Sequence, residues 1–487
     1  MKIKSFFKNL LFTFIAEGLV LLSFFLIYRI IAHNYGAQGA GEYSLIKKVF
    51  GFLHPIFILG IGVGLPRYIA LAINREDRRD FVRAGFFSII ISCGVFLLFA
   101  NIFKVFFASV FFGAPEYAEM VVPFSFFFAG LAMHGLVYSY FRGRMMAKLF
   151  NLLQLINLAI IPVLVLFLFN QHSLNVAMSV IGVLVFLVAI VFMTPFWGDL
   201  IKPGKGLKNA FGKLMRYSVP RVPGDFLMAA FFSLPIIGAA HFVSVEGAGY
   251  LSIGQGVIVA IATMLAPFGV LLLPKVSSLM AVGRENDVNI NLNLFIRAIL
   301  DGSLFVMVQI MIFADTIILF WLGPEFLPAA APMRIMAISI LSYAFYVSTR
   351  SVIDGAQSKP LNSINAFVSL AVALFLAAIL FFASGTMRII DLSCIFVFGL
   401  IFLSVLTYQS LRKIYQLDLF YDLKHLLSAV LVNAVIATAV IVLKPVVSGS
   451  VFAFAGFEAA LALFYLFVLW GIRREWLMRM KEIILRE

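Results

Sequence analysis

The chain carries one half-molecule twice. Gly39-Ala40-Gly41 is followed by an apolar run that closes on Leu65-Pro66-Arg67 and a charged turn, Arg75-Glu76-Asp77. Gly247-Ala248-Gly249 opens a second run, which closes on Leu273-Pro274-Lys275 and is followed by Arg284-Glu285; both landmarks recur 208 positions later. At the same offset His33 meets His241 and Glu17 meets Asp225. Further on, Pro115-Glu116 corresponds to Pro324-Glu325, Arg142 to Arg350, and Lys148 and Asn151 to Lys359 and Asn362. A repeat of this length means two copies of one structural unit. The fold must therefore be built from a pair of similar bundles.

Composition says which kind of bundle. Only 12% of the 487 residues are charged and 63% are hydrophobic, against about 25% and about 45–50% in soluble domains. A mean hydropathy of +1.06 places the chain among polytopic membrane proteins. Apolar runs of spanning length fall at 10–32, 45–70, 84–111, 118–141, 149–170 and 174–196, then, after a polar linker, at 216–240, 250–273, 293–322, 330–349, 360–383 and 392–410. Two more, at 425–443 and 451–472, have no partner in the repeat. The first run has a counterpart in the second half, which reads as part of the fold rather than a leader. An even number of helices per half makes the repeats parallel. The expectation is an all-α polytopic membrane protein of about fourteen helices. Residues 1–208 and 209–420 form two six-helix lobes around a central cleft, and 421–487 supply helices 13 and 14 with a tail.

The net charge of +14 and pI near 9.7 are explained by position. With the N-terminus in the cytoplasm, 30 of the 37 Lys and Arg collect at the cytoplasmic helix ends. That is a positive-inside pattern with both termini cytoplasmic, and it requires no nucleic-acid partner. The exceptions are Arg29, Lys47, Lys48, Lys104, Arg334, Arg388 and Lys444.

Nucleotide and metal chemistry find no motif. Gly204-Lys205-Gly206 lacks the rest of a P-loop, Gly60-Ile-Gly62-Val-Gly64 reads as close helix packing inside helix 2, and the six histidines show no metal-ligand spacing. Cys93 and Cys394 sit in apolar runs, which argues against a disulfide framework. No cofactor is expected, so transport would run on a proton or sodium gradient. Charged residues inside spans are the informative ones, because each costs a few kcal/mol at the bilayer centre unless it faces protein or water. Glu17 and Asp225 hold equivalent places in helices 1 and 7, a pattern suited to an ion-coupling site. Asp225 also has Arg221 one turn away, which admits a plain i,i+4 pair, as do Arg297 and Asp301. Arg29, Lys47, Lys48 and Lys104 sit in the outward halves of helices 1–3, where cations suit an anionic substrate such as a diphosphate; headgroup snorkelling is the alternative. Arg221 and Arg297 are further substrate-binding candidates. Asp315 can meet Arg334 on helix 10. His54-Pro55 in helix 2 and Pro267 in helix 8 read as kinks or hinges.

Three features together carry a family resemblance. They are the first-loop Tyr35-Gly36-x-x-Gly39-x-Gly41-Glu42-Tyr43, the Gly64-Leu-Pro66-Arg67 closing helix 2, and the six-plus-six-plus-two helix count. The chain resembles the multidrug/oligosaccharidyl-lipid/polysaccharide exporter superfamily, in particular the polysaccharide-transport branch with the Wzx-type O-antigen flippases. The resemblance implies export of a polyprenyl-diphosphate-linked oligosaccharide across the cytoplasmic membrane of a prokaryote. It also implies a cationic central cavity, membrane lipids and other polysaccharide-assembly proteins as partners, and no enzymatic step. The related lipid II flippases place cavity arginines on helices 1, 2 and 8, whereas this chain has Arg29 on helix 1, lysines on helix 2 and only Gln255 in the core of helix 8. That departure favours a saccharide-lipid other than a peptidoglycan precursor. Two other functions are open to the sequence: a multidrug or organic-cation antiporter of the same superfamily, for which Glu17 and Asp225 would serve, and a membrane saccharide polymerase or ligase, for which the short outer loops leave no room.

Overall fold

The computed structural model describes residues 3–202, 206–281, 285–356, 360–415 and 423–485, with side chains for all of these except 3–10, 262, 266–281, 285–291, 294, 355–356, 415, 423–426 and 472–485. Every regular element among them is helical. In order they are α1 (Ile3–Phe57), α2 (Ile61–Leu71), α3 (Arg75–Ile102), α4 (Lys104–Phe111), α5 (Val121–Gly143) and α6 (Ala147–Leu155), which runs through a π-helical turn (Ile156–Ile160) into α7 (Ile161–Leu168). Then come α8 (Leu174–Phe192), α9 (Trp197–Ile201), α10 (Leu207–Ser218), α11 (Val222–Phe242), α12 (Val245–Ala281) and α13 (Glu285–Trp321). The last six are α14 (Ala330–Ala337), α15 (Ser339–Ala356), α16 (Leu361–Ser384), α17 (Ile389–Tyr415), α18 (Leu423–Val447) and α19 (Val451–Leu485).

Among the described residues twelve helices are long and apolar enough to cross a membrane, or thirteen when the bent pair Pro324–Ala337 and Ser339–Asp354 counts as one span. One of the twelve, Leu11–Phe57, has 47 residues, about 70 Å of helix and more than twice the thickness of a bilayer core. Gly36, with φ 63° and ψ −163°, interrupts it, in a conformation open to glycine. Lys47 Nζ lies 5.4 Å from the Phe24 ring, although 23 residues of straight helix would hold them about 35 Å apart. The two arms of α1, residues 3–35 and 37–57, therefore fold back on each other as two spans. With that division the described helices supply fourteen crossings. The chain is a multi-pass, all-helical membrane protein.

Three details differ from the sequence expectation. The stretch read as a first loop, Tyr35–Tyr43, is helical on both sides of Gly36. Helix 2 is not continuous: after Pro55 it ends at Phe57, passes Leu59 (φ 55°) and Gly60 (φ 67°), and resumes at Ile61; the close packing expected of its glycines holds, since a Cβ on Gly60 or Gly64 would run into Ser218. Helix 3 starts nine residues early, at Arg75, because Asn74 caps it by accepting from the Asp77 amide at 2.7 Å. Three of its first-turn arginines then converge on one buried carboxylate, Asp199 of α9, with Arg75, Arg78 and Arg79 Nε at 3.2, 3.4 and 3.2 Å. Lys2, Lys205, Arg284, Lys359 and Arg486 lie outside the described residues, as does the side chain of Pro267 on α12.

The chain divides into two compact units, Met1–Ile253 with Leu370–Phe396, and Gly254–Ser369 with Val397–Glu487. In the first, the two copies of the repeated motif touch. A Cβ on Gly249 would lie 2.8 Å from the Gly41 amide nitrogen, and one on Gly41 would run into the Val245 carbonyl. Small residues let helix backbones approach this closely where no hydrophobic force separates them from lipid. A hydroxyl chain stitches the contact. Ser44 Oγ spends its proton on the Ala40 carbonyl at 2.6 Å, so it accepts from Tyr28 at 2.8 Å, and Tyr28 in turn accepts from Ser252 at 2.9 Å. Residues 370–396 close on α11 through Phe242–Phe381 and Phe231–Phe396 ring contacts at 5.2 and 6.0 Å.

The second unit is organised on α13. Asp315 pairs with Arg334 of α14, as its position allowed, and also with Lys444 of α18 at 3.7 Å. Lys444 donates to the Ile312 carbonyl at 2.7 Å and Arg334 to the Met311 carbonyl at 3.2 Å. Tyr465 of α19 donates to the Asp301 carbonyl at 2.9 Å and stacks on Phe305 at 4.5 Å. The two C-terminal helices are thus bonded into this unit.

Two stability outcomes follow. Gly249→Ala should destabilise by about 1–3 kcal/mol, the usual cost of overpacking, whereas Gly456→Ala, where an added Cβ meets nothing within 4 Å, should be neutral in the same thermal-unfolding assay. Asp315→Asn strands two in-span cations and should lower the melting temperature more than Asp391→Asn, whose partner Arg388 is an exposed side chain (76%) of the kind worth at most about 1 kcal/mol.

Candidate functional site

The first unit holds an in-span cation without a carboxylate. Lys47, half-buried on the second arm of α1, rests its ammonium 5.4 Å from the Phe24 ring and 5.0 Å from the Tyr43 ring. Tyr43 lies one turn before Lys47 on the same arm, and Phe24 comes from the first arm. Tyr28 packs against both rings, 4.8 Å from Phe24 and 5.5 Å from Tyr43. Such contacts stabilise a cation by about 0.5–2 kcal/mol each, yet leave its charge unneutralised. Among the described residues Lys47 has no ion pair. Lys48, about 100° round the helix, turns instead toward α11, with Nζ 5.9 Å from the Phe232 ring.

The other residues singled out in the sequence scatter around this nest. Arg29 is exposed, next to the buried Tyr28. Lys104 is exposed at the first position of α4, beyond the end of the α3 span. Arg221 opens α11, eleven residues before Phe232, or about 16 Å along the helix. The i,i+4 pair with Asp225 is not formed: Arg221 turns back, donating to the Tyr217 carbonyl at 2.7 Å and stacking 3.7 Å from the Tyr217 ring. Asp225 is exposed, and Arg297 is half-buried on α13 in the second unit.

Glu17 occupies a different seam. Half-buried on the first arm, it acts electrostatically on Tyr138 of α5. Tyr138 stacks on His134 at 5.8 Å, with the Arg142 guanidinium 5.8 Å from its own ring. Asn157 Nδ2 donates to His134 Nδ1 at 3.2 Å, which makes a neutral His134 the Nε2–H tautomer. Asn151 donates to Thr13 at 2.9 Å. The amide oxygens of Asn151, Gln154 and Asn157 are buried and find no hydrogen-bond partner among the described residues, a costly state in an apolar surround. Asn157 sits on the π-helical turn Ile156–Ile160, a feature common at functional sites. His54 extends toward the seam, with Nε2 3.9 Å from where a Gly135 Cβ would stand. None of Thr13, His134, Tyr138, Gln154 or Asn157 was singled out in the sequence, and Asn151 only as a landmark of the repeat, although 151, 154 and 157 share one helix face at i, i+3, i+6.

No protein-family model and no curated protein matches the chain. Solved structures do. A lipid II flippase, MurJ, in an inward closed conformation, superposes with a TM-score of 0.76 at 13% identity, covering 96% of this chain and 99% of the other. An inward-facing multidrug resistance MATE family transporter of the MOP superfamily superposes at 0.67 with 14% identity, over 82% of this chain and 94% of its own. An outward-facing MATE transporter reaches 0.57 at 15% identity, over 84% and 95%. The fold is that of these transporters.

The hydroxyl chain beside Lys47 gives a non-additive test. Tyr28→Phe leaves Ser252 without its acceptor and should cost about 1–2 kcal/mol. Ser252→Ala removes only the outer bond and should cost less, and the double variant should fall short of the sum, read as thermal unfolding.

Proposed function

We propose that the protein is a flippase that moves a polyprenyl-diphosphate-linked oligosaccharide, a polysaccharide or O-antigen precursor, across the cytoplasmic membrane of a prokaryote by alternating access. The observation that carries this reading is Lys47, an ammonium held on aromatic faces in a span, without an ion pair among the described residues. An uncompensated cation in low dielectric attracts a diphosphate and repels a cationic drug. Lys48 and Arg29 lie on the same unit. The extent of the structural likeness agrees: the lipid II flippase covers 96% of the chain and the MATE transporters 82–84%, a difference of about the size of helices 13 and 14. On this reading residues 1–208 and 209–420 rock as lobes about the cleft, the termini are cytoplasmic, and the break after His54-Pro55 and the region of Pro267 are hinges.

Glu17 serves as the coupling site. The unpartnered amide oxygens of Asn151, Gln154 and Asn157 are hard ligands suited to sodium, and the neighbouring His134 suits a proton. That seam also supports the second reading, a cation-coupled multidrug antiporter.

Reconstituted protein should accelerate flipping of a fluorescent polyprenyl-diphosphate saccharide. Lys47→Ala and Lys48→Ala should slow it by about tenfold or more, the scale of losing one charge-assisted contact, while Glu17→Gln keeps basal flipping but loses its response to a proton or sodium gradient. A parent that flips no lipid and expels a cationic dye overturns the flippase reading in favour of the antiporter.

A further inference from the structure

A second cationic feature of the first unit stands apart from Lys47 and Lys48. Arg67 of α2 and Arg221 at the start of α11 both lay their guanidinium groups against one ring, Tyr217, at 4.3 and 3.7 Å. Arg67 Nη1 donates to the Tyr217 hydroxyl at 2.9 Å, and Arg221 Nη1 to the Tyr217 carbonyl at 2.7 Å. The ring is braced: Tyr68 meets it edge-on at 5.8 Å and itself stacks on Phe81 at 4.6 Å. Close packing of α2 on α10 sets the register. Cβ atoms on Gly60 and Gly64 would run into the Ser218 carbonyl and hydroxyl, so only glycines let Arg67 reach Tyr217.

Like charges on one phenol repel, and among the described residues no acid pairs with either arginine, although both are exposed. Asp225, one turn beyond Arg221, does not pair with it. α10 adds Lys208, Lys213 and Arg216, all exposed, and no acidic residue, while Ala210, Leu214 and Ser218 are buried. Its apolar face packs on α3 and α2, which leaves a basic outer face that attracts anions. Each guanidinium spends one donor on Tyr217 and keeps the rest of its planar fork, the geometry that binds phosphate oxygens in pairs.

We infer that Arg67 and Arg221, oriented by Tyr217, bind a phosphate or diphosphate oxyanion at this end of the first unit. This site goes beyond the transport reading and does not require it. The test is calorimetric titration of the purified full chain in uncharged detergent with inorganic pyrophosphate, farnesyl diphosphate and phosphatidylglycerol. One binding step should weaken about tenfold or more in Arg67→Ala/Arg221→Ala, and persist in Lys47→Ala/Lys48→Ala. Arg67→Lys/Arg221→Lys keeps the charge but loses the fork, and should weaken the same step by a smaller factor. Equal affinity for pyrophosphate and farnesyl diphosphate assigns the site to free phosphate. Tighter farnesyl diphosphate that phosphatidylglycerol does not displace assigns it to an isoprenyl diphosphate, and displacement by phosphatidylglycerol assigns it to a bilayer lipid. If both arginine double variants bind all three ligands as the parent does, the site does not exist.

Discussion

A charge inside hydrocarbon needs a partner, and this chain satisfies that requirement in two ways. In the second unit the partner is a carboxylate: Asp315 draws Arg334 and Lys444 together and ties α13, α14 and α18 with one group. In the first unit the partner is a π face, as Phe24 and Tyr43 hold Lys47. The consequences differ. A carboxylate cancels the field of its cation, whereas an aromatic quadrupole lowers the cation's energy and leaves its field standing. Structure alone would be served by either solution. Only the second leaves a positive potential for something else to meet, and for that reason the functional reading rests on Lys47 rather than on the ion pairs.

The same economy applies to the backbone. The repeated Gly-Ala-Gly motifs could have been independent helix starts, but Gly41 and Gly249 are in contact. The Ala40 carbonyl between them ends the hydroxyl chain that begins at Ser252. Duplication placed two small-residue surfaces at matching positions, and matching surfaces of that kind pack without cavities. Around the contact stand Tyr28 and, through its ring, the Lys47 nest. A change that parted the two motifs would also separate Ser252 from its acceptor Tyr28.

Much of this was legible in the sequence, and the exceptions have physical causes. Spans are set by runs of apolar residues, so fourteen could be placed without a structure. The turn between the first two spans was read as a loop because its residues are polar, yet one glycine with positive φ suffices to reverse a helix and the flanking residues stay helical. Asp315 and Arg334 were within reach of each other as in-span charges on consecutive helices, though only the packed bundle shows that they pair. Lys444 was not, since it arrives from a helix with no counterpart in the repeat. Arg221 and Asp225 had the right spacing for a pair, but the same arginine reaches Tyr217 one turn the other way, and an aromatic face with a carbonyl beside it won. Spacing lists the partners within reach; packing selects among them. The polar face of Asn151, Gln154 and Asn157 was in plain view as an i, i+3, i+6 pattern, though its meaning depends on those oxygens lacking donors, which only the packed bundle reveals.

The first arm of α1 bears on both candidate sites. Thr13 and Glu17 face the seam with α5 and α6, and Phe24 and Tyr28, two to three turns further on, wall the lysine nest. A rigid helix transmits rotation and translation along its length, so an ion that ordered the unpartnered amide oxygens around Glu17 would also bias the position of Phe24 beside Lys47. Such coupling requires that the ion bind the two arrangements with different affinity, and linkage then makes the diphosphate change ion affinity by the same factor. A seam with three unsatisfied buried acceptors is poised for that difference, because filling them relieves a desolvation cost that the empty seam bears. The aromatic clamp on Lys47 is poised likewise, since a cation held by quadrupoles alone gives up little when an anion arrives. On the proposed function, two unsaturated sites on one helical arm would let an ion gradient be exchanged for lipid movement.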